Sequence, residues 1–368
     1  MTAAAEPGIP MGASTPDTDP GAPLIKDRAE PAAPVNPHHR VHYLDGWRGV
    51  SIGLVLLGHF LPQSMTGIAN EGVEFFFVLS GRLMAEILFV DKTALPKFYR
   101  RRISRIYPAM FVFVLLTFVG MHWTALAYKP LAAAMALTFT INYGLALAHG
   151  VPAIDNLWSL CIEEHAYLLL GVIAFIARRR AIKPVVVIAV IAALSAIDGI
   201  VSTTVFHQTY FQSYWRTDAR LASIFFSAAA FLVLRNRKVP PRTPLAALAA
   251  GVALMFAPVP IHYSLGSLCL AIAVCTLDSA YKPLLNVLSV RALTTAGLWS
   301  YSIYLWQQPF YRLQHHGDIP LWASIALGLG MGVASYHLVE TPARRWLNAH
   351  WRSWKPPFLF AAAAVPAA

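Results

Sequence analysis

The stretch "LDGWRGVSIGLVLLGHF", residues 44–60, is apolar enough to enter a bilayer, yet it carries Asp45, Arg48 and His59. Arg48 and His59 are eleven residues apart. At 100° per residue that spacing returns to within about 20° of the same helix face, with about 16 Å between the two Cα atoms along the axis. A guanidinium near one end and an imidazole beyond the midplane therefore share one face of a membrane helix. Asp45 lies three residues before Arg48 and can pair with it. Arg48 alone reads as a snorkelling anchor, and His59 alone as a hydrogen-bonded packing residue. Their alignment weakens both of those plainer accounts, because ionisable groups within spans usually face the bundle interior.

The rest of the chain repeats the apolar pattern. Of 368 residues 57% are hydrophobic and 13% are charged, and the mean hydropathy is +0.53. Charged residues are about half as frequent as in soluble domains. Apolar runs close to the roughly 20 residues a crossing needs fall near 46–65, 72–91, 106–127, 157–177, 184–206, 218–234, 244–261, 264–280, 293–312 and 320–340. The expected fold is all-α, a polytopic transmembrane helix bundle of about ten spans. One further segment, 131–149, is expected to be re-entrant or partly inserted. With the N-terminus inside and 131–149 not crossing, 24 of the 29 Lys and Arg residues fall on the inner side. Letting 131–149 cross would export "RRRAIK" (178–183) against the positive-inside tendency.

The same rule accounts for the net charge of +11. Basic residues gather on loops rather than on a soluble domain interleaved with stacking aromatics, so nucleic acid is not an expected partner. Cys161, Cys269 and Cys275 are odd in number, lie inside apolar segments and lack metal-ligand spacing. Neither disulfides nor a metal site is expected. Residues 1–40, rich in Ala and Pro without an apolar core, read as a disordered cytoplasmic tail. Residues 41–348 form the expected transmembrane domain and 349–368 a cytoplasmic C-terminal tail.

Other polar stretches mark the remaining candidates. "FYRRRISRIYP" (98–108) puts Arg102 and Arg105 three residues apart at an expected helix start, where planar guanidinium forks and the helix dipole both suit phosphate. Arg101 belongs to the same cluster. The plainer reading is a positive-inside stop. "LWSLCIEEHAY" (157–167) carries Glu163 and Glu164 about 9–12 Å into a span. Adjacent carboxylates cannot point the same way from one helix, so one is expected to face inward. "YSIYLWQQPFY" (301–311) places aromatics and two amides in the ninth span. "VETPARR" (339–345) ends the last span with Glu340, expected to pair with Arg344 or Arg345. Asp198 stands alone in mid-span without an assigned role.

Taken with "GVEFFFVLSG" (72–81), these stretches occur in the order of the membrane-bound acyltransferase family 3, which the chain resembles over about 44–345. The resemblance implies an integral-membrane O-acyltransferase of the bacterial inner membrane, multi-pass, with both termini cytoplasmic. It would move an acyl group, chiefly acetyl, from acyl-CoA to a hydroxyl of a glycan or glycosylated acceptor, such as a cell-surface polysaccharide or a small secreted product. Acyl-CoA is the donor substrate, and no bound cofactor is expected. The family's arginine and histidine separated by ten residues match Arg48 and His59. The paired arginines match Arg102 and Arg105, and the buried glutamate matches Glu163. Ser80, Trp158, Tyr301, Trp306 and Glu340 lie inside the matching motifs and are expected to support the site, as is Asp45.

His59 is expected to deprotonate the acceptor hydroxyl; an acyl-histidine intermediate is the alternative. Arg102 and Arg105 are expected to hold CoA phosphates, with Arg48 binding a donor phosphate or orienting the cavity through Asp45. Glu163 would orient the His59 proton or bind the sugar. The sequence departs from the family at Gln307, where His is usual, at His165, where Gln is common, and at Arg82, where an aromatic is typical. Arg82 is expected to alter the pocket. Many relatives add a periplasmic esterase-like domain, and none is expected here. A transporter would also hold charges within its spans, but it often shows repeated halves, and the chain has no evident repeat. A non-catalytic acyl-CoA-binding protein is disfavoured by Arg48 and His59.

Overall fold

Proline punctuates this chain at the points where helices begin. Pro96, Pro130, Pro184, Pro244, Pro260, Pro283 and Pro342 each occupy one of the first two positions of a helix. There the missing N–H costs nothing and the fixed φ is already helical. A computed structural model describes residues 41–61, 67–146 and 150–351, and every regular element among them is helical. The expected tails, apart from residues 349–351, and positions 62–65 of the first expected span lie outside the described residues.

The elements are α1 (His42–Phe60), α2 (Gly67–Ala85), α3 (Leu95–Gly120), α4 (Pro130–Leu137), α5 (Ile141–Ala146), α6 (Leu157–Arg179), α7 (Pro184–Thr204), α8 (Tyr210–Tyr214), α9 (Thr217–Leu234), α10 (Thr243–Leu254), α11 (Val259–Ile261), α12 (Ser267–Cys275), α13 (Lys282–Leu288), α14 (Arg291–His316), α15 (Leu321–Ser335) and α16 (Thr341–His350). Wider π-turns continue α2 through Val90, join α11 to α12 and join α15 to α16.

A helix lies at each of the ten expected spans, but the helices are not equivalent. Among the described residues, α3, α6, α7, α9 and the α15–α16 rod are long and apolar enough to cross a membrane, which makes this a multi-pass membrane protein. α1, α2 and α14 have the length, but the polar groups they carry inward dilute their hydropathy. α10 has 12 residues; at 1.5 Å per residue it covers about 18 Å, well short of a bilayer core of about 30 Å. Length and hydropathy therefore support five candidate spans among the described residues and do not by themselves establish the expected ten. The expected non-crossing piece is broken into α4 and α5, of 8 and 6 residues. Each is too short to span.

α1 packs against α14 and α2, α2 against α9, α9 against α7 and α14 against α15. Between apolar helices in lipid, association relies on close van der Waals contact, which small residues permit. A Cβ on Gly297 would sit 1.9 Å from the Asp45 carbonyl oxygen, and one on Gly49 would sit 2.1 Å from that of Leu293. α1 and α14 thus meet backbone to backbone. α14 ends at Gly317, whose φ of 86° closes the last turn as the Asp318 N–H donates to the Leu313 carbonyl at 3.0 Å.

Candidate active site

α3 begins eleven residues before the expected start of its span, so Arg102 lies two turns inside the helix rather than at its N-terminus. The dipole argument for phosphate binding therefore lapses, since that field fades within the first turn. What the structure supplies instead is a cavity of about 80 Å³ lined by Arg48, Arg102, Arg105, Ser80, Glu163 and Tyr301. Arg48 bonds Asp45 at 3.2 Å, the i, i+3 pair legible in the sequence. Arg102 lies 3.7 Å from Glu163 and 3.4 Å from Glu164, with its guanidinium 3.6 Å from the centre of the Tyr167 ring. Both adjacent carboxylates reach Arg102, although the helix turns between them, because the guanidinium spans the gap. Ser80 and Tyr167 donate to Glu163 at 2.8 and 3.0 Å. Arg105 lines the same cavity and forms no ion pair with a described carboxylate.

Arg101, three residues after Phe98 on the helix, faces outward and is exposed, so the structure does not bring it to this cluster. Tyr301 donates to the Ile106 carbonyl at 2.8 Å, bracing α14 against α3 near Pro108. Glu340 accepts from Ser302 at 2.8 Å and lies 3.8 Å from Arg344, as the ion-pair reading anticipated. Trp306 is buried edge-on to Phe113 and lines neither cavity described here.

His59 belongs to a second cavity, of about 280 Å³, toward the opposite ends of α1 and α14. Trp158, Trp215 and Tyr311 supply aromatic walls; Asn70, Asp155, Gln308 and Arg312 supply polar ones. The His59 ring stacks on Tyr311, centroids 4.3 Å apart and 14° from parallel. Its Nδ1 lies 2.7 Å from Gln307 Oε1. The expectation that Glu163 orients His59 is thus overturned: Glu163 lines the first cavity, and the residue that holds His59 is Gln307, the position where the sequence departs from the family. Val73 and Tyr304 line both cavities and form the wall between them.

The turn before α6 completes the second cavity. Pro309 has no N–H, so the Leu305 carbonyl four residues back lacks its helical donor. Beside this break Asn156 Nδ2 donates to the Tyr304 carbonyl at 2.7 Å, with that of Leu305 at 3.5 Å. That tie sets neighbouring Asp155 against α14, where it accepts from Gln308 and, at 2.6 Å, from Arg312. The sequence marks neither Asp155 nor Arg312, and Gln308 only as one of two amides in the ninth span. Gln308 and Arg312 do show an i, i+4 spacing, which puts them on one face; Asp155 sits in a turn without periodicity.

Two other expectations change. Arg82 lines neither cavity: it bonds Asp278 at 2.9 and 3.0 Å and the Val274 carbonyl, pinning α2 to the turn after α12. Asp198 is not alone, since Arg216 bonds it at 3.1 Å. His165 bonds Thr217 at 2.8 Å and ties α6 to α9.

Comparison with known proteins supplies the family. The acyltransferase-domain model of the acyltransferase 3 family matches residues 41–365. The chain is 26% identical over 345 residues to the O-acetyltransferase OatA of Staphylococcus aureus (strain NCTC 8325 / PS 47), covering 82% of this chain and 57% of that protein. It is also 26% identical over 345 residues to the peptidoglycan O-acetyltransferase OatA of Listeria monocytogenes, covering 82% and 55%. The chain thus spans little more than half the length of these curated relatives. No solved structure matches it. A polytopic helical membrane protein with this family's motifs in order and its domain across nearly all of the described residues, the chain belongs to the acyltransferase 3 family.

Proposed function

We propose that the protein moves an acetyl group from acetyl-CoA, bound at the arginine-lined cavity, to a glycan hydroxyl held beside His59. The observation that carries this reading is the pairing of two chemically different cavities across one thin wall. The first offers three guanidiniums, one of them with no described carboxylate within 4 Å, a lining suited to the phosphates of a CoA donor. The second joins flat aromatic faces to amide, carboxylate and guanidinium groups around one imidazole, a lining suited to a sugar ring with its hydroxyls. The basic first cavity lies at the end of the bundle where Lys and Arg collect, which the positive-inside tendency assigns to the cytoplasm. On this reading both termini are cytoplasmic and the His59 cavity lies toward the outer side of a plasma membrane.

In this mechanism the pantetheine arm carries the thioester past Val73 and Tyr304. The His59 imidazole takes the proton of the acceptor hydroxyl as its oxygen attacks the thioester carbonyl. The tetrahedral intermediate collapses with loss of the CoA thiolate, which recovers the proton from the imidazolium. The products are the acetyl ester and CoA. The acceptor class follows from the relatives' names, and a glycan of the cell wall is the first candidate.

The test is transfer from acetyl-CoA to glycan fragments by purified protein in nanodiscs, with mass spectrometry of glycans and secreted metabolites from cells with and without the gene. His59→Ala is expected to abolish transfer while the protein still inserts. Substantial transfer by that variant overturns the mechanism, and acetylation confined to a small secreted metabolite overturns the acceptor.

A further inference from the structure

The hydrogen bonds around His59 can be followed outward, and each one constrains the next. Gln308 Nε2 faces Asp155 Oδ1 and, at 3.2 Å, the Pro152 carbonyl. A backbone carbonyl and an ionised carboxylate only accept, so the Gln308 amide must present its NH2 to them. Its oxygen then faces Gln307, whose Nε2 lies 3.3 Å away. That Nε2 also lies 3.4 Å from the Tyr304 carbonyl, again an acceptor alone. Gln307 therefore turns its NH2 toward Gln308 and its oxygen toward His59 Nδ1, at 2.7 Å. An amide oxygen cannot donate, so Nδ1 must carry the hydrogen, and in the neutral ring the lone pair is left on Nε2. Arg312, bonded to Asp155 Oδ2 at 2.6 Å, anchors the far end of the chain.

We propose that Asp155, Gln308 and Gln307 form a hydrogen-bond relay of one fixed polarity that holds His59 in its Nδ1–H tautomer and leaves Nε2 as the proton acceptor. The inference rests on the reading of His59 as the base. The relay members are positioning residues: they act through the imidazole rather than on substrate. The arrangement does with two neutral amides what a carboxylate does directly in a Ser-His-Asp triad, where a wrong tautomer costs about 10⁴-fold in kcat. Two amides carry less charge to the ring, so the bias here comes from polarity and geometry, and a smaller penalty is expected.

The tautomer can be read without catalysis. Nitrogen-15 histidine labelling of the full chain in nanodiscs separates protonated from unprotonated ring nitrogens, and the His59 signals are those lost in His59→Gln. The neutral ring is expected to carry hydrogen at Nδ1; hydrogen at Nε2 in the unaltered protein overturns the proposal. Gln307→Leu is expected to release the ring into a mixture of tautomers and to lower kcat about 10- to 100-fold, with KM within about two-fold. Gln307→Glu, which still accepts from Nδ1–H, is expected to keep the tautomer, recover most of kcat and move the acid limb of the pH–rate profile to higher pH. Loss in the Glu variant equal to that in Leu, or an unshifted acid limb, overturns the relay. Activity retained by His59→Ala would instead defeat the mechanism while leaving the tautomer measurement standing, so the two failures are distinguishable.

Discussion

Arg102 and Arg105 stand three residues apart on α3, yet their surroundings give them opposite roles. Arg102 is held by Glu163 and Glu164 and by the Tyr167 ring, with 14% of its side chain exposed. Arg105 lines the same cavity with no described carboxylate within 4 Å; the opposing charge nearest in effect is Glu340, which Ser302 and Arg344 already hold. Arg105→Ala then removes a charge-assisted bond to the ligand, about 1.5–3 kcal/mol. The dissociation constant for CoA should rise about 10- to 100-fold, with thermal stability unchanged. Arg102→Ala strands two adjacent carboxylates. Breaking a buried pair costs about 3–5 kcal/mol; since Glu164 is 20% exposed and can turn toward water, about 2–4 kcal/mol is expected here. That lowers the apparent melting temperature by about 3–6 °C. Adding Glu163→Gln and Glu164→Gln to Arg102→Ala should recover the loss, because amides need no counter-charge. Calorimetric titration of CoA into protein in nanodiscs, with thermal unfolding of the same samples, reads both effects. Wild-type CoA affinity in Arg105→Ala, or wild-type melting in Arg102→Ala, refutes this division of roles.

Three further outcomes follow from single contacts. Gly297→Ala puts a methyl 1.9 Å from the Asp45 carbonyl oxygen and must part α1 from α14; a loss of about 1–3 kcal/mol is expected, together with weaker CoA binding as Asp45 shifts under Arg48. Gly53→Ala, with nothing within 4 Å of the added carbon, should melt no lower than the unaltered protein, and both are read by thermal unfolding. Arg82→Met, which leaves Asp278 without its cation, should lower stability while the choice of acceptor, scored by product mass spectrometry, stays the same. Burial pushes the Asp155 carboxyl, in the turn before α6, from 3.8 up to about 6, against the opposing pull of Arg312. Between about pH 4 and pH 6 the folded protein therefore keeps a proton that the unfolded chain has released, and stability falls as pH rises through that window. Asp155→Asn should remove this part of the slope, and an unchanged slope across pH 4–7 refutes the assignment.

Contacts within one helix were the ones legible from sequence. Asp45 with Arg48 and Glu340 with Arg344 are i, i+3 and i, i+4 pairs, and helical geometry alone brings them together. The common face of Arg102 and Arg105 was legible for the same reason. The helix start at Leu95 was not, because the charged segment 97–105 looks like a loop to any hydropathy window while Pro96 marks the true first turn. Partners across helices were hidden altogether. Nothing local says that Glu163 meets Arg102 rather than His59, that Asp198 meets Arg216, or that Arg82 meets Asp278. Gln307 was visible only as a departure from a family pattern, and its role appears once α1 and α14 are set side by side.

That side-by-side packing explains how one site is built over so long a reach. α1 and α14 run in the same direction, locked by glycines at Gly49 and Gly297. On α1, Arg48 and His59 are eleven residues apart; on α14, Tyr301 and Arg312 have the same separation, with Tyr304 and Gln308 between them on one stripe. Each helix thus carries one residue into the arginine cavity and another into the histidine cavity. Helix rise fixes the two levels about 16 Å apart, and backbone-to-backbone packing leaves neither helix room to slide. In the proposed mechanism the imidazole cannot travel to a donor held at the arginines, so the acyl group would have to travel to the imidazole. Between the two cavities stands the wall of Val73 and Tyr304, a valine from α2 and a tyrosine whose hydroxyl bonds Ser159 and the Asn156 carbonyl. Because Asn156 also sets the position of Asp155, the wall and the cluster that holds His59 are parts of one hydrogen-bonded unit.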